Sequence, residues 1–206
     1  MYKIKICGIT NLDDALAAIA AGADALGFVF YEKSPRYIQP EKAAEIIALL
    51  PPSIISVALF VNAKKEEILN TKTLTDFDLI QFHGDEVDND CQQCHLPYVK
   101  AIRVKSNMDV LAECEKFSGA EAILLDAYSE KVYGGSGESF SWDKVPQDFL
   151  KPIILAGGLN HENIQQAIAS THCYAVDVSG GVEKEKGLKD HEALKAFCQK
   201  AKRSFA

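Results

Sequence analysis

Eight short apolar runs recur along this chain, with a helix-sized stretch between most neighbours, and that alternation limits the fold more than any other feature. The runs are Lys3–Ile9, Ala25–Phe30, Ile55–Val61, Leu79–His83, Tyr98–Val104, Ala122–Ala127, Pro152–Ala156 and Tyr174–Val178. They are near-continuous in apolar character, as expected of parallel strands covered by helices on their faces. Ala43, Ile46, Ile47 and Leu50 then follow helical spacing behind Pro40, a residue suited to a first helical turn. Ile164, Ala167 and Ile168 repeat the pattern, as do Leu194, Phe197, Cys198 and Ala201 behind Asp190 as an N-cap. The sixth unit is the weakest, because Ser141–Val145 offers barely one turn.

Two of the runs end at glycine pairs, Gly157-Gly158 after the seventh and Gly180-Gly181 after the eighth. Glycine lets a backbone approach a ligand closely, and the unpaired N–H groups that open the following helix attract anions. Two such turns on successive strands make a phosphate cradle, placed where a (β/α)8 barrel carries one. The expectation is therefore an α/β chain folded as a single-domain (β/α)8 TIM barrel over residues 1–206, with a short or irregular sixth helix. The same segments also suit a doubly wound open sheet. At 206 residues the chain is short for a barrel, which usually takes about 250.

A net charge of -7 argues against non-specific nucleic-acid binding and against an acidic membrane surface. An anionic ligand must then be held by local groups. The N-terminus enters a strand pattern directly, and no apolar run reaches membrane length, so a cytoplasmic location is expected. The six cysteines are then reduced thiols rather than a disulfide framework.

Barrel chemistry sits at the C-terminal ends of strands. That rule selects Cys7, His83, Asp126 and Asp177. Asp126 follows four apolar residues, so its carboxylate must face a ligand or find a hydrogen-bonding partner, the next loop being one candidate. Cys7 reads either as a small core residue or as a thiol shifted below its usual value of about 8.5 by nearby helix ends. A thiolate and a carboxylic acid facing each other would form a proton-transfer pair. Arg36, on the proline-stiffened loop after the second strand, suits a carboxylate, or else is a solvated loop charge. Gly134-Gly135-Ser136-Gly137 suits a lid or a plain connector, and Val182–Gly187 reads as a solvated charged loop. Cys91-Gln92-Gln93-Cys94-His95 matches a haem-attachment or redox pattern, but Val87, Cys91 and Cys94 fall at i, i+4, i+7, the apolar stripe of a covering helix. The cysteines and histidines do not assemble into spaced metal-ligand pairs.

Taken in order, Lys5-Ile6-Cys7-Gly8-Ile9-Thr10, Ala25–Phe30 with Ser34-Pro35-Arg36, Gln81-Phe82-His83-Gly84, Leu124-Leu125-Asp126, Gly134–Gly137 with Phe140 and Trp142, Leu155–Leu159 and Asp177–Glu183 span the chain. In this order the chain resembles the phosphoribosylanthranilate isomerases of tryptophan biosynthesis. The resemblance implies an Amadori rearrangement of a phosphosugar with no metal or organic cofactor. It implies Asp126 as general acid and Cys7 as general base, with Arg36 on the anthranilate carboxylate. Gly157, Gly158, Ser179 and Gly180 would hold the phosphate, and His83 and Asp177 would stand near the substrate. Gly180 replaces a serine of the family pattern, Ser136 a threonine and Phe82 a leucine. A monomer or homodimer is expected. The rival readings are another aldose–ketose isomerase on the same barrel, such as the histidine-pathway enzyme, a silent phosphate-binding barrel, and a redox protein using Cys91 and Cys94. Cys7 at the end of the first strand, where the histidine-pathway pattern has an acid, weighs against the first.

Overall fold

The computed structural model describes residues 1–127 and 141–205. Eight parallel strands close into a barrel in chain order: β1 (Ile4–Cys7), β2 (Ala25–Val29), β3 (Ile55–Phe60), β4 (Leu79–Phe82), β5 (Tyr98–Val104), β6 (Ala122–Ala127), β7 (Ile153–Leu155) and β8 (Ala175–Val178). Closure comes from β8 pairing with β1, with Lys5 opposite Asp177. An open doubly wound sheet is thereby excluded. All eight expected runs are strands: Tyr98–Val104 and Ala122–Ala127 match in full, and the other six are trimmed by one or two residues at one or both ends.

Among the described residues, seven helices cover the strands: α1 (Leu12–Ala21), α2 (Pro40–Ile47), α3 (Lys65–Thr75), α4 (Asp88–Gln92), α5 (Val110–Glu115), α6 (Ile164–Thr171) and α7 (His191–Phe205). Local chemistry sets several boundaries. The Asn11 side chain accepts from Asp14 N at the start of α1, and Asp190 accepts from Glu192 N and Ala193 N at the start of α7. Between β6 and β7 the described residues supply only a 3-10 turn, Trp142–Lys144, in line with the weak sixth unit. The glycine segment Gly134–Gly137, with Ser136 and Phe140, lies outside the described residues.

Strand parity divides the core into two large clusters, with a small third one of Cys7, Val29, Leu59 and Val61 lining the pocket. Ile4, Ile6, Leu26, Phe28, Ile80 and Val176 pack outward with the helices. Ala25, Val57, Leu79, Val99, Leu124, Ile154 and Ala175 form a separate cluster that fills the barrel. The inward set at the C-terminal end is different, because there the barrel interior becomes polar: Lys5, Gln81, Asp126 and Asp177 are all buried.

Two expectations need correction. Val182–Gly187 is not simply a solvated loop: β9 (Glu183–Glu185) and β10 (Leu188–Lys189) form an antiparallel hairpin whose Glu183 and Lys189 side chains are buried. The stripe of Val87, Cys91 and Cys94 also fails at both ends, since α4 is only five residues long. Cys91 and Cys94 are buried as a covering element requires, but Val87 is 58% exposed at the helix start and Cys94 lies beyond its end.

Candidate active site

Every residue singled out at the strand ends lines one pocket at the C-terminal mouth of the barrel. Cys7 ends β1, Arg36 comes from the loop after β2, and His83 follows β4. Asp126 lies near the end of β6, the Gly157-Gly158 turn follows β7, and Asp177, Ser179 and Gly180 come from β8 and the turn after it. Strand parity does this work, because alternate residues point inward and successive strands bring their ends to the same rim.

Asp126 is almost fully buried. Its Oδ1 accepts from Ala127 N at 2.8 Å, the loop-capping contact, while Oδ2 lies 3.1 Å from His83 Nε2. His83 Nδ1 is in turn 2.9 Å from Gln81 Nε2. In this orientation of the Gln81 amide its nitrogen donates, so Nδ1 accepts and the imidazole proton sits on Nε2, aimed at the carboxylate. The carboxyl group is thus fixed in orientation by a side chain on a different strand.

Cys7 faces the same pocket, but its thiol departs from expectation. Burial raises its pKa above the ordinary value, and the Lys5 ammonium, the largest opposing influence, does not reverse this. The direction is thus opposite to the expected depression. Beneath the sulfur, fully buried Lys5 donates to Asp177 Oδ2 at 2.8 Å. Asp177 Oδ1 is buried without a partner among the described residues.

Arg36 is buried, not a solvated loop charge. Nε and Nη2 donate to Glu183 Oε1 and Oε2 at 2.7 and 2.8 Å. Among the described residues no acceptor is paired with Nη1. Glu183 also accepts from Lys189 Nζ at 3.0 Å, and that ammonium donates to the carbonyls of Cys7 at 2.6 Å and Ser179 at 3.2 Å. Although burial works against its charge, Glu183 is held below the usual carboxylate range by Arg36 and Lys189.

The glycine turns are sterically enforced. Gly157 has φ +81°, and a Cβ there would lie 2.5 Å from Ala127 N and 3.0 Å from Asp126 Oδ1. A Cβ on Gly181 would come within 1.8 Å of the Leu159 carbonyl oxygen, so the two turns are in direct contact. Ser179 Oγ is buried without a partner among the described residues, and Arg36 is the only Arg or Lys among the described lining residues.

Sequence reasoning missed Lys5, Gln81, Glu183 and Lys189 as parts of this arrangement. Lys5 and Gln81 each stand two residues before a strand-end group, which puts them on the same inward face of β1 and β4. That parity was a usable signal. Glu183 and Lys189 had none beyond a charged run.

The model of the N-(5'-phosphoribosyl)anthranilate isomerase family matches residues 4–200. The chain belongs to this family. Among curated relatives, an N-(5'-phosphoribosyl)anthranilate isomerase of Pseudomonas fluorescens is 55% identical over 202 residues, covering 98% of this chain and 96% of its own. One from Pseudomonas putida is 52% identical, with 98% of each chain covered. The crystal structure of the isomerase from Thermotoga maritima superposes with a TM-score of 0.89 at 40% identity, covering 98% of this chain and all of that one. A further isomerase structure, solved with reduced 1-(o-carboxyphenylamino)-1-deoxyribulose 5-phosphate, gives a TM-score of 0.83 at 39% identity and the same coverage. Family membership covers the full set of strand ends that build the pocket, from Cys7 to Gly181.

Proposed function

We infer that the chain converts N-(5'-phosphoribosyl)anthranilate to 1-(2-carboxyphenylamino)-1-deoxyribulose 5-phosphate, an Amadori rearrangement of tryptophan biosynthesis, with Asp126 as general acid and Cys7 as general base. Asp126 gives a proton to the furanose ring oxygen, the ring C–O bond breaks with its pair on that oxygen, and the nitrogen lone pair forms the C=N bond of a protonated Schiff base. The Cys7 thiolate then removes the proton from the sugar carbon next to the imine. The electron pair of that C–H bond becomes the new C=C bond, and the C=N pair returns to nitrogen. The enolamine tautomerises to the ketone, so only protons move and no redox partner is required. Each positioned acid or base contributes about 10²–10⁴-fold.

The anthranilate carboxylate takes the Nη1 edge of Arg36. The phosphate takes the turns at Gly157, Gly158, Ser179 and Gly180, through backbone N–H groups and the Ser179 hydroxyl, which has no partner among the described residues. His83 and Asp177 stand against the sugar. One observation carries this reading: a thiol and a carboxyl group from different strands share a pocket with two glycine turns at one side and a half-occupied guanidinium at another. All these groups come from one chain, so residues 1–206 act as a single-domain barrel, as monomer or homodimer, in the cytoplasm.

The test is anthranilate-type fluorescence, with substrate generated in situ, comparing wild type with Cys7→Ala and Asp126→Asn. Fluorescence loss driven by wild type and abolished in both variants supports the assignment. Full turnover in either variant would remove that residue from its role, and no turnover by folded wild type would overturn the reaction.

A further inference from the structure

A buried ammonium with one countercharge is an unusual occupant of a barrel interior, and Lys5 is fully buried. It lies two residues before Cys7 on β1, so both side chains enter the barrel from the same face of one strand. Opposite them on β2 is Gly27, in register with Cys7. A Cβ on Gly27 would lie 2.8 Å from the Cys7 sulfur and 3.1 Å from Lys5 Cε. The sulfur and the end of the lysine chain thus pack into the space that this glycine leaves.

An ammonium has three donors, and Lys5 spends one on Asp177 Oδ2 at 2.8 Å. Among the described residues no second acceptor is paired with that ammonium, and the Cys7 sulfur borders the same space beside Gly27 as the end of the lysine chain. The other cations around Cys7 are committed elsewhere: Arg36 to Glu183, and Lys189 to Glu183 and the carbonyls of Cys7 and Ser179. The groups facing the sulfur are then Lys5 from β1, Asp177 from β8, Arg36 after β2, Glu183 and Lys189 from the hairpin, and Tyr2 below, with His83 and Asp126 across the pocket.

We propose that Lys5 is a positioning residue for the isomerisation: from one layer below Cys7, its buried ammonium favours the thiolate form of the sulfur against the cost of burial, so that the sulfur can take the substrate proton. This rests on the reading of Cys7 as base. Asp177 acts as anchor, fixing the ammonium on one side while leaving donors for the sulfur. Burial pushes the thiol up and Lys5 is the strongest influence pulling it down, which agrees with the geometry.

The experiment is alkylation of Cys7 by iodoacetamide across pH, followed by peptide mapping, alongside the pH dependence of kcat. Wild type is compared with Lys5→Met and with the double change Lys5→Met, Asp177→Asn, which leaves no unpaired buried charge. Circular dichroism confirms folding of each. In both variants the alkylation midpoint should rise by about one pH unit or more, a tenfold loss of thiolate at fixed pH. In Lys5→Met the rising limb of kcat should move the same way, with KM changed far less. If Lys5→Met does not fold, the double variant carries the test through alkylation. A wild-type midpoint in the double variant would mean that the pair acts only as a neutral structural unit, and would overturn the inference. Cys7→Ala is assayed in parallel. Normal turnover there would sink the base assignment, whereas a dead Cys7→Ala with an unmoved Lys5 profile would sink the role of Lys5 alone.

Discussion

Both oxygens of Glu183 grip one edge of the Arg36 guanidinium, at 2.7 and 2.8 Å, so the arginine enters the pocket already oriented. This pairing joins the loop after β2 to the hairpin after β8 across the end of β1. It turns Arg36 from a flexible charge into a fixed half-fork, which lowers the entropy lost when a carboxylate binds.

Glu183→Gln should therefore act on binding and on stability together. KM should rise about tenfold or more, with kcat reduced less, because Arg36 loses a charged anchor worth roughly 1.5–3 kcal/mol. The stability effect has a definite pH sign. The folded-state pKa of Glu183 is depressed by Arg36 and Lys189, so its contribution is full above the unfolded value of about 4.3 and lost as pH falls through the folded value. Urea unfolding of wild type and Glu183→Gln should show a gap at neutral pH that narrows in acid. A gap that widened in acid would contradict the pairing.

Gly157→Ala and Gly181→Ala should damage different steps. At Gly157 the added methyl meets Ala127 N at 2.5 Å and Asp126 Oδ1 at 3.0 Å, in a left-handed backbone that costs a non-glycine residue about 1–2 kcal/mol. The acid is displaced, so kcat should fall. At Gly181 the methyl meets the Leu159 carbonyl at 1.8 Å and forces the two glycine turns apart, so phosphate affinity should fall first. Inhibition by inorganic phosphate, measured beside kcat, separates the two outcomes.

The barrel was legible because its strands are near-continuous apolar runs that alternate with helix-sized stretches, and the last two end at glycine pairs. Cys7, His83 and Asp126 were legible for the same reason, as polar or reactive groups interrupting such runs. Lys5 and Gln81 carry the same parity, but nothing in sequence says that a polar residue deeper in a strand supports the one above it. Glu183 and Lys189 were hidden because burial of a charged hairpin depends on partners from other parts of the chain, Arg36 and the carbonyls of Cys7 and Ser179. The direction of the Cys7 shift was misread for a physical reason. Positive groups near a thiol are visible in sequence patterns, whereas the desolvation that outweighs them is not.

The Cys91 and Cys94 pair should be catalytically silent. Neither residue lines the pocket, and burial pushes the Cys91 thiol up to about 12 and raises Cys94 as well, with no substrate groups beside them to draw on a thiolate. Cys91→Ser with Cys94→Ser should leave kcat within about twofold, while stability falls by roughly 1–3 kcal/mol from burying hydroxyls. Turnover and thermal unfolding of the same preparation decide this, and loss of activity in a folded double variant would revive a redox role.

His83 should prove to act through Asp126. Its Nε2 lies 3.1 Å from Asp126 Oδ2, and Gln81 at 2.9 Å from Nδ1 fixes which ring nitrogen carries the proton. Replacing His83 by Phe removes the donor yet keeps a ring of similar bulk, so Asp126 keeps only its contact to Ala127 N. The carboxyl group then samples orientations that miss the ring oxygen, and kcat should drop about tenfold, the loss of roughly one hydrogen bond in the transition state. His83→Gln restores a donor near the same place and should recover part of that rate. Gln81→Leu frees the imidazole to change tautomer, and should lower kcat while leaving KM and phosphate inhibition close to wild type. If His83→Phe instead raised KM with kcat intact, the histidine would belong to substrate binding and not to the orientation of the acid.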